Sequence, residues 1–228
     1  MKKQKCIFTR QRSKNFKEVT DIRKLDLLQG LYVITPDDLP MDEVLYKTKI
    51  ITSSGARIVQ FRNKNLCSED KYTFAIKIKD ICHENNAILI VNDDPNLAYE
   101  IQADGLHLGQ DDMSCVKARK LLGKEYIIGI SCHNNLQLSL KAIQEGADYI
   151  AIGSIFKSKT KPLAIKASIE EMNYISKNIN KPVIAIGGIN KKNIHNIKNS
   201  LAKMAAISKT LYQGQETKKI AEYLIKNI

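Results

Sequence analysis

From Gly30 to the end of the chain, short and continuously apolar runs alternate with longer stretches of helical spacing. GLYVITP (30–36) has the unbroken apolar character of a strand covered on both faces. Residues 41–53 then place Val44, Leu45, Ile50 and Ile51 at helical intervals, and Gly55 stops the pattern. ARIVQFRNK (56–64) predicts a second strand whose last residues alternate Gln60, Arg62 and Lys64. A helix follows over 68–83, with Ser68, Glu69 and Asp70 as cap and negatively charged first turn. The same alternation predicts strands at 88–91, 106–108, 126–133, 149–156, 182–188 and 204–208. Helical segments separate them, at 114–122, 136–144, 168–177 and 191–199, and 217–228 closes the series. Eight strand-then-helix units in about 200 residues predict an α/β fold, the (β/α)8 TIM barrel, filling 29–228 as one catalytic domain. An open doubly wound sheet is the alternative, and the even spacing favours closure.

Composition changes little about that picture. The 228 residues are 43% hydrophobic with a mean hydropathy of -0.27, and no apolar run nears the ~20 residues needed to span a bilayer. The net charge of +12 invites a nucleic-acid partner, but nine of the basic side chains, against only Glu18 and Asp21, lie in residues 1–24. Residues 1–28 therefore read as a basic, partly mobile extension, in which Ile22, Leu25 and Leu28 form one face of a short helix closing the barrel bottom. The rest of the excess is lysine on helix surfaces, so a solvated face is the better reading than a nucleic-acid surface. The five cysteines are scattered and without a C-x-x-C pair, as expected of free thiols in a reducing cytoplasm, and the four histidines show no zinc-ligand spacing with them. Homo-oligomerisation is left open.

The chemistry concentrates at strand ends. The run ending at Val91 breaks into Asn92, Asp93 and Asp94, and the run ending at Leu108 breaks into Gly109, Gln110, Asp111 and Asp112. Parallel strands joined by a crossover end on the same side, so Asp93 and Asp112 can share a hard cation. The plainer reading of Asn-Asp-Asp-Pro is a turn and a helix cap before Pro95. Reading off the other strand ends gathers Gln60, Arg62, Lys64, Asn92, Ser131, His133, Ser158, Thr160, Lys161, Gly187, Gly188 and Ser208 into one polar, mixed-charge ring. Two acids, three long cations and several hydroxyls suit a diphosphate chelated by Mg2+. Gly187-Gly188 before a helix admits an anion to backbone N–H groups, or is simply a tight turn.

Five segments together resemble the thiamine-phosphate synthase family: Q-F-R-N-K at Gln60, V-N-D-D at Val91, D-G-L-H-L-G-Q-D-D at Asp104, I-G-I-S-C-H at Ile128 and A-I-G-G-I at Ala185. The resemblance implies a (β/α)8 barrel that joins a hydroxymethylpyrimidine diphosphate to a thiazole phosphate and releases pyrophosphate with Mg2+. It implies that Gln60, Arg62, Lys64 and Asn92 contact the pyrimidine diphosphate, and that Asp93 and Asp112 hold the metal. Ser131 and Lys161 match contacts to the pyrophosphate, so Ser131, Lys161, Arg62 and Lys64 form the catalytic set. Ser158 and Thr160, with Gly187 or Gly188, Ile207 and Ser208, match the thiazole-phosphate contacts. The chain departs from the family at Cys132, at Lys157-Ser158-Lys159-Thr160-Lys161, and around Ser200 to Lys203, where a glycine-rich approach is missing. Competing readings are a thiazole tautomerase-like barrel and a non-catalytic barrel that binds phosphate or nucleic acid.

Overall fold

The computed structural model describes residues 24–157 and 165–228. Eight strands, β1 (Gly30–Ile34), β2 (Ile58–Phe61), β3 (Ile88–Asn92), β4 (Gly105–Leu108), β5 (Ile127–His133), β6 (Tyr149–Ile152), β7 (Val183–Ile186) and β8 (Met204–Ile207), pair in sequence order. Every pairing is parallel, and β8 returns to β1, which closes the barrel. The helices are α1 (Met41–Ser53), α2 (Ser68–Glu84), α3 (Pro95–Glu100), α4 (Cys115–Leu122), α5 (Leu136–Gln144), α6 (Ile169–Asn178), α7 (Ile194–Lys198), α8 (Lys209–Tyr212) and α9 (Thr217–Lys226).

Because side chains alternate across a strand, the apolar runs feed two separate cores. Outward residues such as Val33, Val59, Leu89, Leu106, Ile128 and Ile150 pack against Val44, Ile51, Ala75 and Ile78 of the helices. Inward residues such as Ile34, Ile58, Ile90, Ile184 and Met204 fill the barrel, and Leu28 plugs it from below. Burying each such side chain contributes about 1.5–3 kcal/mol, so a strand shifted by one residue would forfeit both cores at once.

Two strand entrances repeat one device. Ala103-Asp104 leads into β4 and Ala147-Asp148 into β6. Asp104 accepts the Leu89 N–H of β3 at 2.8 Å, and Asp148 accepts the Ile128 N–H of β5 at 2.9 Å. Each carboxylate thus ties the start of its own strand to the preceding one and takes a basic side chain as well: Lys24 and His83 on Asp104, Arg119 on Asp148.

Several boundaries differ from the sequence expectation. Ser68 is the first helical residue of α2 rather than its cap; Cys67 holds the cap position and no side chain bonds there. β2 ends at Phe61 and β6 at Ile152, short of the expected 64 and 156, because the backbone beyond them leaves the sheet for loops. The helix expected over 191–199 shrinks to α7, and the four-residue α8 was too short to leave a periodic signal. Leu28 is buried, but Leu25 is 47% exposed: the expected closing helix is a single 3-10 turn, Lys24–Leu27, which cannot bury both. Ile22 and the basic extension through residue 23 lie outside the described residues, as do Ser158, Thr160 and Lys161. Among the described residues, no helix is long and apolar enough to cross a membrane.

Candidate active site

The C-terminal ends of β2, β3, β4 and β5 gather the charged residues singled out above. The Asn-Asp-Asp-Pro stretch divides its labour. Asp94 caps α3, accepting the Leu97 N–H at 3.0 Å with Pro95 at the first helical position. Asp93 turns away from that task in a left-handed conformation (φ 63°), its N–H donating to the His107 carbonyl at 2.8 Å. A non-glycine residue held there is strained, and such strain recurs where a side chain must be aimed.

Asp112 folds back so that its Oδ2 accepts the Gly109 N–H at 2.7 Å. Burial pushes its carboxyl above the ordinary range, the adjacent Asp93 carboxylate adds to that, and the Gly109 N–H and Lys64 pull the other way. Two carboxylates from neighbouring strands therefore face one another, and among the described residues Lys64 lies 3.3 Å from Asp93. No group of three or more acidic, His or Cys ligands exists among the described residues, and this pair is what a cation there could draw on. That suits Mg2+, which keeps several waters and takes one or two carboxylates plus substrate phosphate oxygens.

On the Asp93 side of the pair, Lys64, Asn63, Asn92, Asp93, Asp94 and Pro95 line an open cleft of about 430 Å³, together with Lys71 of α2. Sequence reasoning passed over Lys71, which sits one turn into a helix and looks like any surface lysine. Arg62 lies beside the cleft and is held in two ways. Its main chain is clasped by the buried Thr35 hydroxyl, which accepts the Arg62 N–H and donates to its carbonyl, both at 2.9 Å. Its guanidinium donates to Asp37 in the loop after β1, and the other carboxylate oxygen of Asp37 is buried without a partner among the described residues. Asp38 next door receives Lys209 of α8 at 3.1 Å.

Ser131 points into the barrel, where its Oγ meets His107 Nε2 at 2.9 Å, and its carbonyl accepts the Gln110 amide at 2.6 Å. Cys132, the next residue, is fully buried on the outer side of β5. Burial raises the Cys132 thiol to about 12 and the Cys115 thiol to about 11, so neither is a nucleophile at neutral pH. The described cysteines, Cys67, Cys82, Cys115 and Cys132, are all free. Gln60 is 4% exposed and donates to Tyr32 Oη inside the barrel.

On the far side of the rim, Gly187 (φ 105°) and Gly188 (φ 64°) follow β7. A side chain at Gly187 would collide with Ser154, and one at Gly188 with the Phe156-Lys157 backbone, so both positions require glycine. The Gly187 carbonyl takes the Phe156 N–H, while the Gly188 carbonyl takes the Asn190 and Asn193 amides. Ser208 stands at the start of α8. Ile207 sends its side chain into the outer core, so only its main chain faces the rim. Three further residues that sequence reasoning left without a role, Tyr32, His107 and Tyr149, lie beneath the rim; the inward alternation of β1, β4 and β6 was the signal available for them.

Residues 31–211 match the family model described as thiamine monophosphate synthase. The thiamine-phosphate synthase of Alcanivorax borkumensis is 39% identical over 194 residues, covering 85% of this chain and 89% of that protein. The thiamine-phosphate synthase of Nitrosococcus oceani is 40% identical over 195 residues, covering 85% and 90%. Among solved structures, the thiamine phosphate pyrophosphorylase of Pyrococcus furiosus superposes with a TM-score of 0.79 at 28% identity, over 89% of this chain and 96% of the other.

Proposed function

The chain belongs to the thiamine monophosphate synthase family, and from that membership we propose that it condenses hydroxymethylpyrimidine diphosphate with a thiazole phosphate, using Mg2+ held by Asp93 and Asp112. It is a transferase of thiamine biosynthesis. The observation that supports the metal assignment is the facing pair itself: Asp112 is raised by burial and by Asp93, a repulsion that a divalent cation relieves.

Bound there, Mg2+ supplies a Lewis acid that neutralises charge on the diphosphate oxygens. The remaining work falls to the chain. The bond that breaks joins a methylene carbon to a diphosphate oxygen, and its electron pair leaves with pyrophosphate. The electron-rich aminopyrimidine spreads the positive charge left on carbon. The thiazole nitrogen then forms the new C–N bond with its lone pair. No side chain needs to act as nucleophile or strong base, so positioning and charge stabilisation suffice. Arg62, Lys64 and Lys71 supply positive charge beside the cleft, and Ser131 supplies a hydroxyl donor from the end of β5. Gln60 and Asn92 orient the pyrimidine. Ser158, Thr160 and Lys161, with Gly187 or Gly188, Ser208 and the Ile207 main chain, complete the phosphate contacts on this reading.

A thiazole tautomerase shares the barrel but has no use for a diphosphate site, and the simultaneous presence of Asp93, Asp112, Lys64 and Lys161 in the sequence favours the synthase. Incubating the full chain with radiolabelled pyrimidine diphosphate, thiazole phosphate and Mg2+ tests the reading. Labelled thiamine phosphate with one pyrophosphate per turnover is the expected result, and recovery of unreacted diphosphate would contradict it.

A further inference from the structure

Beneath the active-site rim, four hydrogen bonds cross the barrel in an unbroken line. Gln60 Nε2 donates to Tyr32 Oη at 2.9 Å, Tyr32 Oη meets Tyr149 Oη at 2.9 Å, Tyr149 Oη meets His107 Nδ1 at 3.0 Å, and His107 Nε2 meets Ser131 Oγ at 2.9 Å. Building on the synthase reading, we propose that this line is a directional relay whose output is the orientation of the Ser131 hydroxyl, making Tyr149 and His107 positioning residues for catalysis.

The direction follows from counting hydrogens. A phenol has one hydrogen to give. Tyr32 Oη accepts from the Gln60 amide, so its hydrogen goes to Tyr149. Tyr149 Oη accepts that one and passes its own to His107 Nδ1. A neutral imidazole that accepts at Nδ1 carries its proton at Nε2, so His107 donates to Ser131 Oγ. Ser131 thereby has an acceptor lone pair occupied from below, and its own O–H is left to donate toward the leaving pyrophosphate. With the opposite sense, Ser131 would spend its hydrogen on His107 and have none for the substrate.

Burial preserves the order. Gln60, Tyr32, His107 and Tyr149 are each at most 6% exposed, so water cannot readily substitute at any link. Burial also pushes both phenols well above their ordinary range, which keeps each O–H in place as a donor. The barrel makes room for the line at a specific cost. Gly129 of β5 pairs with both His107 and Tyr149, and any side chain there would collide with the Tyr149 ring. The Tyr149 and His107 rings stack at 5.6 Å with 19° between their planes. Phenylalanine and leucine would fill the same space without burying polar groups, so packing alone does not account for these residues.

Nitrogen-15 NMR of the full chain labelled at histidine reads the relay directly, with His107 assigned by the signal lost in His107→Gln. The expected result is the Nε2–H tautomer with Nδ1 unprotonated. Kinetics provides the second arm. Tyr149→Phe should lower kcat about tenfold with little change in KM. In a Ser131→Ala background the same change should cost almost nothing further, because the relay then has nothing to orient. An Nδ1–H tautomer, or losses from Tyr149→Phe and Ser131→Ala that multiply, would overturn the proposal. The tautomer is measured without substrate, so a chain that fails to make thiamine phosphate would contradict the synthase reading and leave the NMR result to decide the relay.

Discussion

The two ends of the barrel treat carboxylates in opposite ways. At the bottom, Asp104 is 5% exposed and has every need met: Lys24 at 2.8 Å, His83 at 2.9 Å and the Leu89 N–H at 2.8 Å. Burial is the largest single influence on it and opposes ionisation, yet His83, Lys24 and Leu89 together hold its carboxyl below the ordinary range. At the top, partial desolvation and then the facing Asp93 push the Asp112 carboxyl up. Asp37 keeps one oxygen buried without a partner among the described residues. A chain selected only for stability would resolve such conflicts; these two lie at the end where barrels carry out chemistry.

Exchanging one carboxylate for an amide at each end is the sharpest way to break that comparison. Asp93→Asn should lower turnover by roughly 10²–10³ or more while leaving the thermal midpoint unchanged or slightly raised, since it removes a repelled charge. Asp104→Asn should do the reverse. Losing the ion-pair acceptor strands partners at the barrel bottom and should cost about 2–4 kcal/mol of stability by urea unfolding, with kcat preserved.

The stability difference between wild type and Asp104→Asn should itself depend on pH. A carboxyl whose folded pKa lies below its unfolded value stabilises the fold above the unfolded value, and that contribution is lost as pH falls through the folded one. The gap should therefore be constant near neutrality and close below about pH 4. A gap that persists to the acid limit would place the effect in packing rather than charge.

Neighbouring residues on β5 sharpen the contrast on a finer scale. Ser131→Ala should depress kcat by about 10²–10³ with a smaller change in KM. Cys132→Ala, one residue on and facing the outer core, should cost about 1 kcal/mol of stability and leave kcat alone. Smallest of all should be removal of the basic extension. A chain starting near Thr20 keeps Lys24 and its bond to Asp104, and should match the full chain in turnover and in unfolding midpoint.

Much of this was readable from the sequence because the relevant physics is local. Continuous apolar runs and their spacing specify eight buried parallel strands, and the side on which strands end collects Asp93, Asp112, Arg62, Lys64 and Ser131. What the sequence concealed was long-range. Period-two alternation shows that Tyr32 and Tyr149 face inward, but nothing local reveals that two tyrosines 117 residues apart share a hydrogen bond. The tie between Arg62 and Asp37 is hidden for the same reason, since it joins two loops 25 residues apart. Asp93 and Asp94 looked equivalent as letters. Backbone geometry separated them, giving the helix cap to Asp94 and leaving Asp93 beside Lys64.

The central claim, that the conflicted carboxylates at the top form the metal site and the satisfied one at the bottom does not, can be tested by titrating Mn2+ and inorganic pyrophosphate into the protein and following the metal by electron paramagnetic resonance. The wild type and Asp104→Asn should bind the Mn2+–pyrophosphate pair alike, while Asp93→Asn should lose at least about tenfold in affinity. Undiminished binding by a folded Asp93→Asn variant would contradict the account.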